Sequence, residues 1–201
     1  MEKHKIIEKY KLSITQVSLI ESYFNELKKT NKTLNLVGPS TISNFWDRHI
    51  NDSLQLSNFI TNKKSTIIDL GTGAGLPGLI LSIYGYRKIL LVDSKLKKIK
   101  FIKDFVKENK IKTSIICSRI ENIKNQKFDF IICRAFAPLS KTLNYSLIFY
   151  KKNTSLLFLK GRSVKKEIDD ANKFFRFKYE LFQSISDGDG FVLRISNLVK
   201  L

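Results

Sequence analysis

Residues 69–78 read DLGTGAGLPG, and this stretch decides the fold class of the chain. Its glycines fit two patterns at once, G-x-G-x-G from Gly71 and G-x-G-x-x-G from Gly73. Glycine adopts positive φ angles and lets a ligand approach the backbone closely. Pro77 suits the first turn of a following helix. Since the apolar run STIID precedes the glycines, the stretch predicts a strand, a ligand-binding loop and a helix.

The sequence after this loop predicts an open α/β sheet. Short β-branched runs alternate with helical segments, as in βαβ units around parallel strands. These runs are STIID, KILLVD, KTSIIC, FDFIIC and SLLFLK. After a predicted helix at 163–173, the runs FRFKYELFQSI and GFVLRISNLV are joined by the turn-rich SDGDG, which predicts an antiparallel hairpin. This chain order is typical of the Rossmann-like class I methyltransferase sheet.

The first sixty residues have a different pattern. Apolar residues in 13–30 fall mostly on one helical face, and Ser13 and Gln16 have capping-box spacing. A second helical stretch covers 42–60. We therefore predict an N-terminal helical extension at 1–62 and a methyltransferase domain at 63–201.

Composition narrows the functional classes. The 201 residues carry a formal charge of +18, which favours a polyanionic partner such as RNA or DNA, although a bias toward Lys, Ile, Asn and Phe throughout the chain offers a second explanation. Two cysteines and two histidines argue against a metal centre. Since no segment resembles a signal peptide or a membrane span, we expect a cytoplasmic protein, with a monomer as the default.

The glycine loop alone leaves two cofactors open, a dinucleotide and S-adenosylmethionine. Asp93, at the end of KILLVD, suits the ribose hydroxyls of either. Asp69 favours S-adenosylmethionine, because its carboxylate would face a pyrophosphate unfavourably but would suit the ammonium group of methionine. A P-loop is excluded because no G-K-[ST] follows.

Several motifs in order resemble the bacterial 16S ribosomal RNA guanine-N7 methyltransferase family, also called glucose-inhibited division protein B. They are LNLVG (34–38), DRHINDSL (47–54), DLGTGAGLPG (69–78), LVDS (91–94), SRIEN (118–122), FDFIICRAFAPL (128–139) and FLKG (158–161). The resemblance implies methyl transfer from S-adenosylmethionine to guanine N7 in the 16S rRNA of the small ribosomal subunit.

The resemblance also implies a set of cofactor contacts, which are Gly71, Leu76, Ile120, Glu121 and Arg134. To these the reasoning above adds Gly73 and Asp93. The chain has Cys133 where the family often has serine, and Asn122 where it often has glutamate. Arg134 is expected either to hold the methionine carboxylate or to steer the base.

Guanine N7 carries a lone pair and no proton, so its methylation needs alignment and no general base. We therefore assign no catalytic residue. A nucleophilic role for Cys133, as in 5-methylcytosine enzymes, competes with a buried structural role, which we favour.

Lys160 and Arg162 flank Gly161 after a strand at the expected catalytic edge, and we predict that they contact RNA. For His49 and Asp52 we expect helix stabilisation or docking to the core. The lysine-rich run 95–112 predicts an amphipathic helix with Leu96 and Ile99 on its apolar face. Two other functions stay open, an NAD-dependent oxidoreductase and a catalytically idle RNA-binding factor.

Overall fold

The computed structural model describes residues 1–124, 126–186 and 188–201. Seven strands form one sheet in the order β3-β2-β1-β4-β5-β7-β6. They are β1 Ile67–Leu70, β2 Ile89–Asp93, β3 Ser114–Cys117, β4 Phe130–Arg134, β5 Ser155–Lys160, β6 Phe175–Gln183 and β7 Phe191–Lys200. Strands β1 to β5 are parallel, and β7 pairs antiparallel with both β5 and β6. The predicted sheet and its closing hairpin are confirmed.

The helices follow the predicted alternation. They are α1 Lys3–Lys9, α2 Ile14–Leu34, α3 Pro39–Ile42, α4 Asp52–Leu54, α5 Gly78–Tyr84, α6 Leu96–Glu108, α7 Leu139–Phe149 and α8 Val164–Ala171. The capping box at the start of α2 forms as predicted, because Ser13 Oγ accepts from the Gln16 backbone and Gln16 Oε1 accepts from the Ser13 backbone. The predicted hairpin turn at 186–190 includes Asp187, which lies outside the described residues.

The second helical stretch of the extension is irregular. A π-helical turn covers Trp46–Asn51 and a 3₁₀ turn covers Gln55–Asn58, with α4 between them. Turns of the π type are rare and often occur at functional sites. The sequence pattern identified this stretch as helical but did not reveal the change of helix type.

Adjacent strand residues pack on opposite faces of the sheet, as strand geometry requires. Ile67 and Ile132 belong to one apolar core, and Ile68 and Ile131 belong to the other. The first core also contains the buried residues of α2, α5 and α6, so the extension covers one sheet face. The division at residue 62 stays a prediction. Among the described residues, no helix has both the length and the hydropathy required to cross a membrane.

One prediction for α6 is wrong. Ile99, Ile102 and Phe105 are buried, but Leu96 is 71% exposed. Leu96 is the first residue of the helix, where the chain has just left the sheet edge, so its side chain does not reach the core.

Candidate active site

A cleft of about 1240 Å³ opens at the carboxyl ends of the parallel strands, where doubly wound sheets bind ligands. The glycine loop, the end of β2 and the loop after β3 line one part of it. The loop after β4, the end of β5 and the extension line the rest. Of the predicted site residues, the cleft brings together Gly71, Gly73, Leu76, Asp93, Ile120, Glu121, Arg134 and Lys160.

The glycine loop has the backbone that its sequence predicts. The φ angles of Gly71, Gly73 and Gly75 are +68°, +59° and +97°, in a region that favours glycine. A Cβ at Gly71 would overlap Phe136 Cδ2 and lie 2.9 Å from Cε2, so the aromatic ring packs directly on the loop. At Gly73 a Cβ would come no closer than 3.9 Å to any other atom, which leaves room beside the loop for a ligand.

Asp69 has a different role from the one predicted. Its side chain is completely buried beneath the loop, and Oδ2 accepts hydrogen bonds from Thr72 Oγ1 (2.6 Å) and the Gly78 backbone (2.9 Å). Burial raises the pKa of this carboxyl to about 6, although both hydrogen bonds oppose the shift. Asp69 therefore holds the loop from below, and it is not among the residues that line the cleft.

Asp93 stands at the carboxyl end of β2 and is partly exposed to the cleft. Its two carboxylate oxygens accept backbone hydrogen bonds from Gly73 (3.0 Å) and Lys95 (2.8 Å). These bonds fix the carboxylate beside the glycine loop, and each oxygen has a further lone pair for a ligand hydroxyl.

The loop after β3 supplies the neighbouring wall. Ile120 is buried in a 3₁₀ turn, whereas Glu121 is exposed. Hydrogen bonds from its own backbone and from Tyr145 lower the pKa of Glu121. One apolar and one anionic side chain therefore lie next to each other at this side of the cleft.

Arg134, the last residue of β4, fastens the extension to the sheet. Its Nη1 donates to Asp52 Oδ2 and to the Arg48 carbonyl, both at 3.0 Å, and its Nη2 lies 3.0 Å from His49 Nδ1. Asp52 Oδ1 also accepts from Ser186 Oγ at 2.9 Å, which ties in the hairpin. The expectation that His49 and Asp52 serve in docking to the core agrees with these contacts.

Lys160 is enclosed by protein and is not a surface cation. Its side chain is 9% exposed, and its ammonium group donates to Glu167 Oε2 (2.8 Å) and to the Ala137 carbonyl (3.2 Å). The side chain thus braces the loop after β4, and this geometry disfavours the predicted RNA contact for Lys160. Arg162, by contrast, is exposed beside the cleft.

Cys133 lines the cleft but is buried, and burial raises the pKa of its thiol far above its usual value. Because the thiolate is the nucleophilic form, this environment opposes a nucleophilic role. The structural role that we favoured fits the geometry.

Sequence reasoning missed several residues that shape the cleft. Phe136 contacts the glycine loop, and Thr41 bonds to His49. Glu167 receives the ammonium group of Lys160 and also accepts from the Leu139 backbone at the start of α7. The aromatic residue two positions after Arg134 was a usable signal, whereas Thr41 and Glu167 meet distant partners that no local pattern marks.

Comparison with known proteins gives a consistent result. The family described as rRNA small subunit methyltransferase G matches residues 16–189. A ribosomal RNA small subunit methyltransferase G of Rickettsia prowazekii (strain Madrid E) is 41% identical over 92% of this chain and 96% of that protein. The protein of the same name from Orientia tsutsugamushi (strain Boryong) is 39% identical over 92% of this chain and 93% of its own length.

Solved structures support the fold. A ribosomal protein L11 methylase from Lactobacillus delbrueckii subsp. bulgaricus superposes with a TM-score of 0.59 at 17% identity, covering 72% of this chain and 75% of that one. The M. jannaschii TYW2 structure in complex with AdoMet gives a TM-score of 0.57 at 14% identity, covering 76% of each chain. At these identities the likeness concerns the fold, and the predicted class I methyltransferase fold is confirmed.

Proposed function

The chain belongs to the rRNA small subunit methyltransferase G family, and from this premise we propose that it transfers a methyl group from S-adenosylmethionine to N7 of a guanine in 16S rRNA. The observation that carries the proposal is the cleft, in which the glycine loop and Asp93 lie beside the exposed cations Lys95, Arg119 and Lys141. Family membership makes the protein an enzyme and disfavours the oxidoreductase and idle-factor alternatives.

The residues present fit this cofactor. The open side of Gly73 gives room beside the loop, Asp93 offers lone pairs to the ribose diol, and Ile120 offers an apolar surface to the adenine. Gly71, Leu76 and Glu121 complete this half of the proposed cofactor site. Bound there, S-adenosylmethionine supplies a methyl group on a positively charged sulfur.

Arg134 is proposed to hold the carboxylate of the cofactor. Three of its five N–H donors bond to Arg48, Asp52 and His49, so Nε–H and one Nη2–H have no partner within the described part of the chain. The Arg134 side chain is 18% exposed, and the residue lines the cleft. A charge-assisted pair of donors on a side chain fixed by three other bonds suits a carboxylate.

The rim of the cleft is proposed to bind RNA phosphates. Lys95, Arg119 and Lys141 are exposed on it, with Lys98 partly exposed. Arg162 adds a further exposed cation beside Gly161. Each phosphate that such side chains neutralise releases counterions, so affinity for RNA should fall steeply with salt.

The chemistry that we propose needs alignment and no proton acceptor. S-adenosylmethionine held in the cleft would supply the methyl group, and guanine N7 would accept it with a lone pair that carries no proton. His49 has both ring nitrogens engaged, and Asp52 accepts from Arg134, Ser186 and Gln55. Orientation within the cleft therefore accounts for the acceleration.

Two further parts of the proposal concern its setting. No group of three or more His, Cys, Asp or Glu suited to a metal occurs among the described residues, and the absence of a metal stays a prediction. A monomeric state and a cytoplasmic location, where small subunits assemble, are likewise proposed.

Incubation of the purified protein with tritiated S-adenosylmethionine tests the function. We expect radioactivity in 16S rRNA, supplied either as naked RNA or within small subunits, and none in 23S rRNA. Comparison of the two 16S preparations identifies the natural substrate. Labelling of neither preparation contradicts the proposal.

A further inference from the structure

A chain of hydrogen bonds crosses from the end of β4 to the extension through His49. Arginine only donates hydrogen bonds, so His49 Nδ1 accepts from Arg134 Nη2 at 3.0 Å. The ring proton then lies on Nε2, which donates to Thr41 Oγ1 at 2.8 Å. The Thr41 hydroxyl in turn donates to the Gly38 carbonyl at 2.7 Å. Every donor in the chain points the same way, from Arg134 toward Gly38.

The surroundings of His49 keep it in this state. His49 is 4% exposed, and its ring centroid lies 5.8 Å from that of Phe45. Its carbonyl accepts from Ser53 Oγ at 2.6 Å. Burial, reinforced by Arg134 and Arg48, lowers the pKa of His49 to about 3, so the imidazole is neutral throughout the physiological range.

The two ends of this hydrogen-bond chain, Arg134 and Gly38, lie on different walls of the cleft. Arg134 belongs to the sheet, whereas Gly38 and Thr41 belong to the extension, and all three line the cleft. The segment Leu36–Thr41 touches the cleft at four of its six residues, Leu36, Val37, Gly38 and Thr41. Two hydrogen bonds therefore join this segment to the β4 wall, one from Arg134 to His49 and one from His49 to Thr41.

We propose that Thr41 and His49 are positioning residues, which hold the Leu36–Thr41 segment at the distance from Arg134 that the acceptor nucleotide requires. The proposal rests on the methyltransferase function above. Asp52 and Arg48 hold Arg134 independently of Thr41, so loss of the Thr41 bond leaves the arginine in place. None of the proposed cofactor contacts lies in residues 36–41, although these residues line the cleft, so we assign the Thr41 link to the acceptor side.

The test compares Thr41→Val, which keeps the shape of the side chain but removes the hydroxyl, with Thr41→Ser, which keeps the hydroxyl. Thr41→Val leaves the buried His49 Nε2–H without a hydrogen-bond partner. The cost of such a group corresponds to about a tenfold change in an equilibrium constant or rate that depends on the bond. We expect Thr41→Val to lower kcat/KM for rRNA about tenfold while its affinity for S-adenosylhomocysteine stays within twofold of wild type. Thr41→Ser, which keeps the hydroxyl, should have the wild-type kcat/KM for rRNA.

His49→Asn supplies a second variant, because its amide oxygen can accept from Arg134 at the position of Nδ1 but does not reach Thr41. We expect it to reproduce the Thr41→Val defect, and the double variant to be no worse than either single one, since both remove the same link. Thermal unfolding of each variant establishes that it is folded.

Three results overturn the inference: wild-type rRNA kinetics in Thr41→Val, equal losses of cofactor affinity and rRNA turnover, or a Thr41→Ser variant as slow as Thr41→Val. Wild-type protein in the same assay separates this inference from the proposed function. If wild type methylates rRNA and Thr41→Val does so equally well, the positioning role fails and the function stands. If wild type itself transfers no methyl group, the function fails.

Discussion

Substitutions in the glycine loop separate backbone strain from steric overlap. Gly71→Ala would impose a side chain at φ +68° and would also overlap Phe136. Gly73→Ala imposes the same kind of strain at φ +59° with its nearest neighbour 3.9 Å away. Gly188→Ala is the control for added volume, because nothing lies within 4 Å of the added carbon.

The expected losses of stability follow from these geometries. An L-residue in the left-handed region costs roughly 1–2 kcal/mol, which is the whole expected effect of Gly73→Ala. Gly71→Ala adds an overpacking cost of about 1–3 kcal/mol because the Phe136 ring must move. In a chain of this size about 1 kcal/mol corresponds to roughly 2–4 °C in Tm. Gly188→Ala should lower Tm by less than about 1 °C, since surface substitutions are usually near neutral.

Calorimetric titration with S-adenosylhomocysteine measures the functional consequence. We expect Gly71→Ala to weaken binding of S-adenosylhomocysteine by more than tenfold. Gly73→Ala should also weaken binding, because its added methyl group would occupy part of the proposed cofactor site. Gly188→Ala should bind the ligand as wild type does. The reasoning is refuted if Gly71→Ala binds the ligand as tightly as wild type, or if Gly188→Ala is as damaging as the loop variants.

Three other predictions concern titration, the buried thiol and the rim. Asp69 has a folded-state pKa of about 6 against an ordinary 3.8, so the folded state holds a proton that the unfolded state releases between these values. Folding stability should therefore fall by about 2 kcal/mol as pH rises from 4 to 7 relative to Asp69→Asn, and urea unfolding of both proteins at each pH checks this; a pH-independent difference contradicts it. Cys133→Ala should retain kcat within about threefold while losing up to about 2 kcal/mol of stability, because the thiol is packing and not a nucleophile; initial rates of methyl transfer decide, and a variant that folds but does not turn over refutes the structural role. Arg162→Gln should reduce the slope of log K for RNA against log salt by about 1, and filter binding at several salt concentrations measures it; an unchanged slope removes Arg162 from the RNA interface.

Much of the fold was predictable because its signals are local. The glycine loop, the five apolar runs and the terminal hairpin each combine short-range periodicity with turn chemistry, and all appear in the structure. The capping box of Ser13 and Gln16 is a similar case, since both partners lie within one helical turn.

The features that the sequence did not reveal depend on contacts between separate segments of the chain. The sequence predicted an RNA contact for Lys160, because no local pattern indicates that Glu167 and Ala137 accept hydrogen bonds from its ammonium group. The position of Asp69 just before the glycines suggested that its carboxylate contacts the ligand. In the structure the loop folds over this carboxylate and buries it. The π-helical turn at Trp46–Asn51 is a further case, because its Arg48 carbonyl accepts a hydrogen bond from Arg134, 86 residues away.

Nucleoside mass spectrometry of 16S rRNA treated with the enzyme and S-adenosylmethionine tests the central claim most directly, because it identifies the acceptor atom. We expect one 7-methylguanosine for each 16S rRNA molecule, at a single position. A methyl group found on an exocyclic amine or a ribose hydroxyl, and not on N7, would contradict the account.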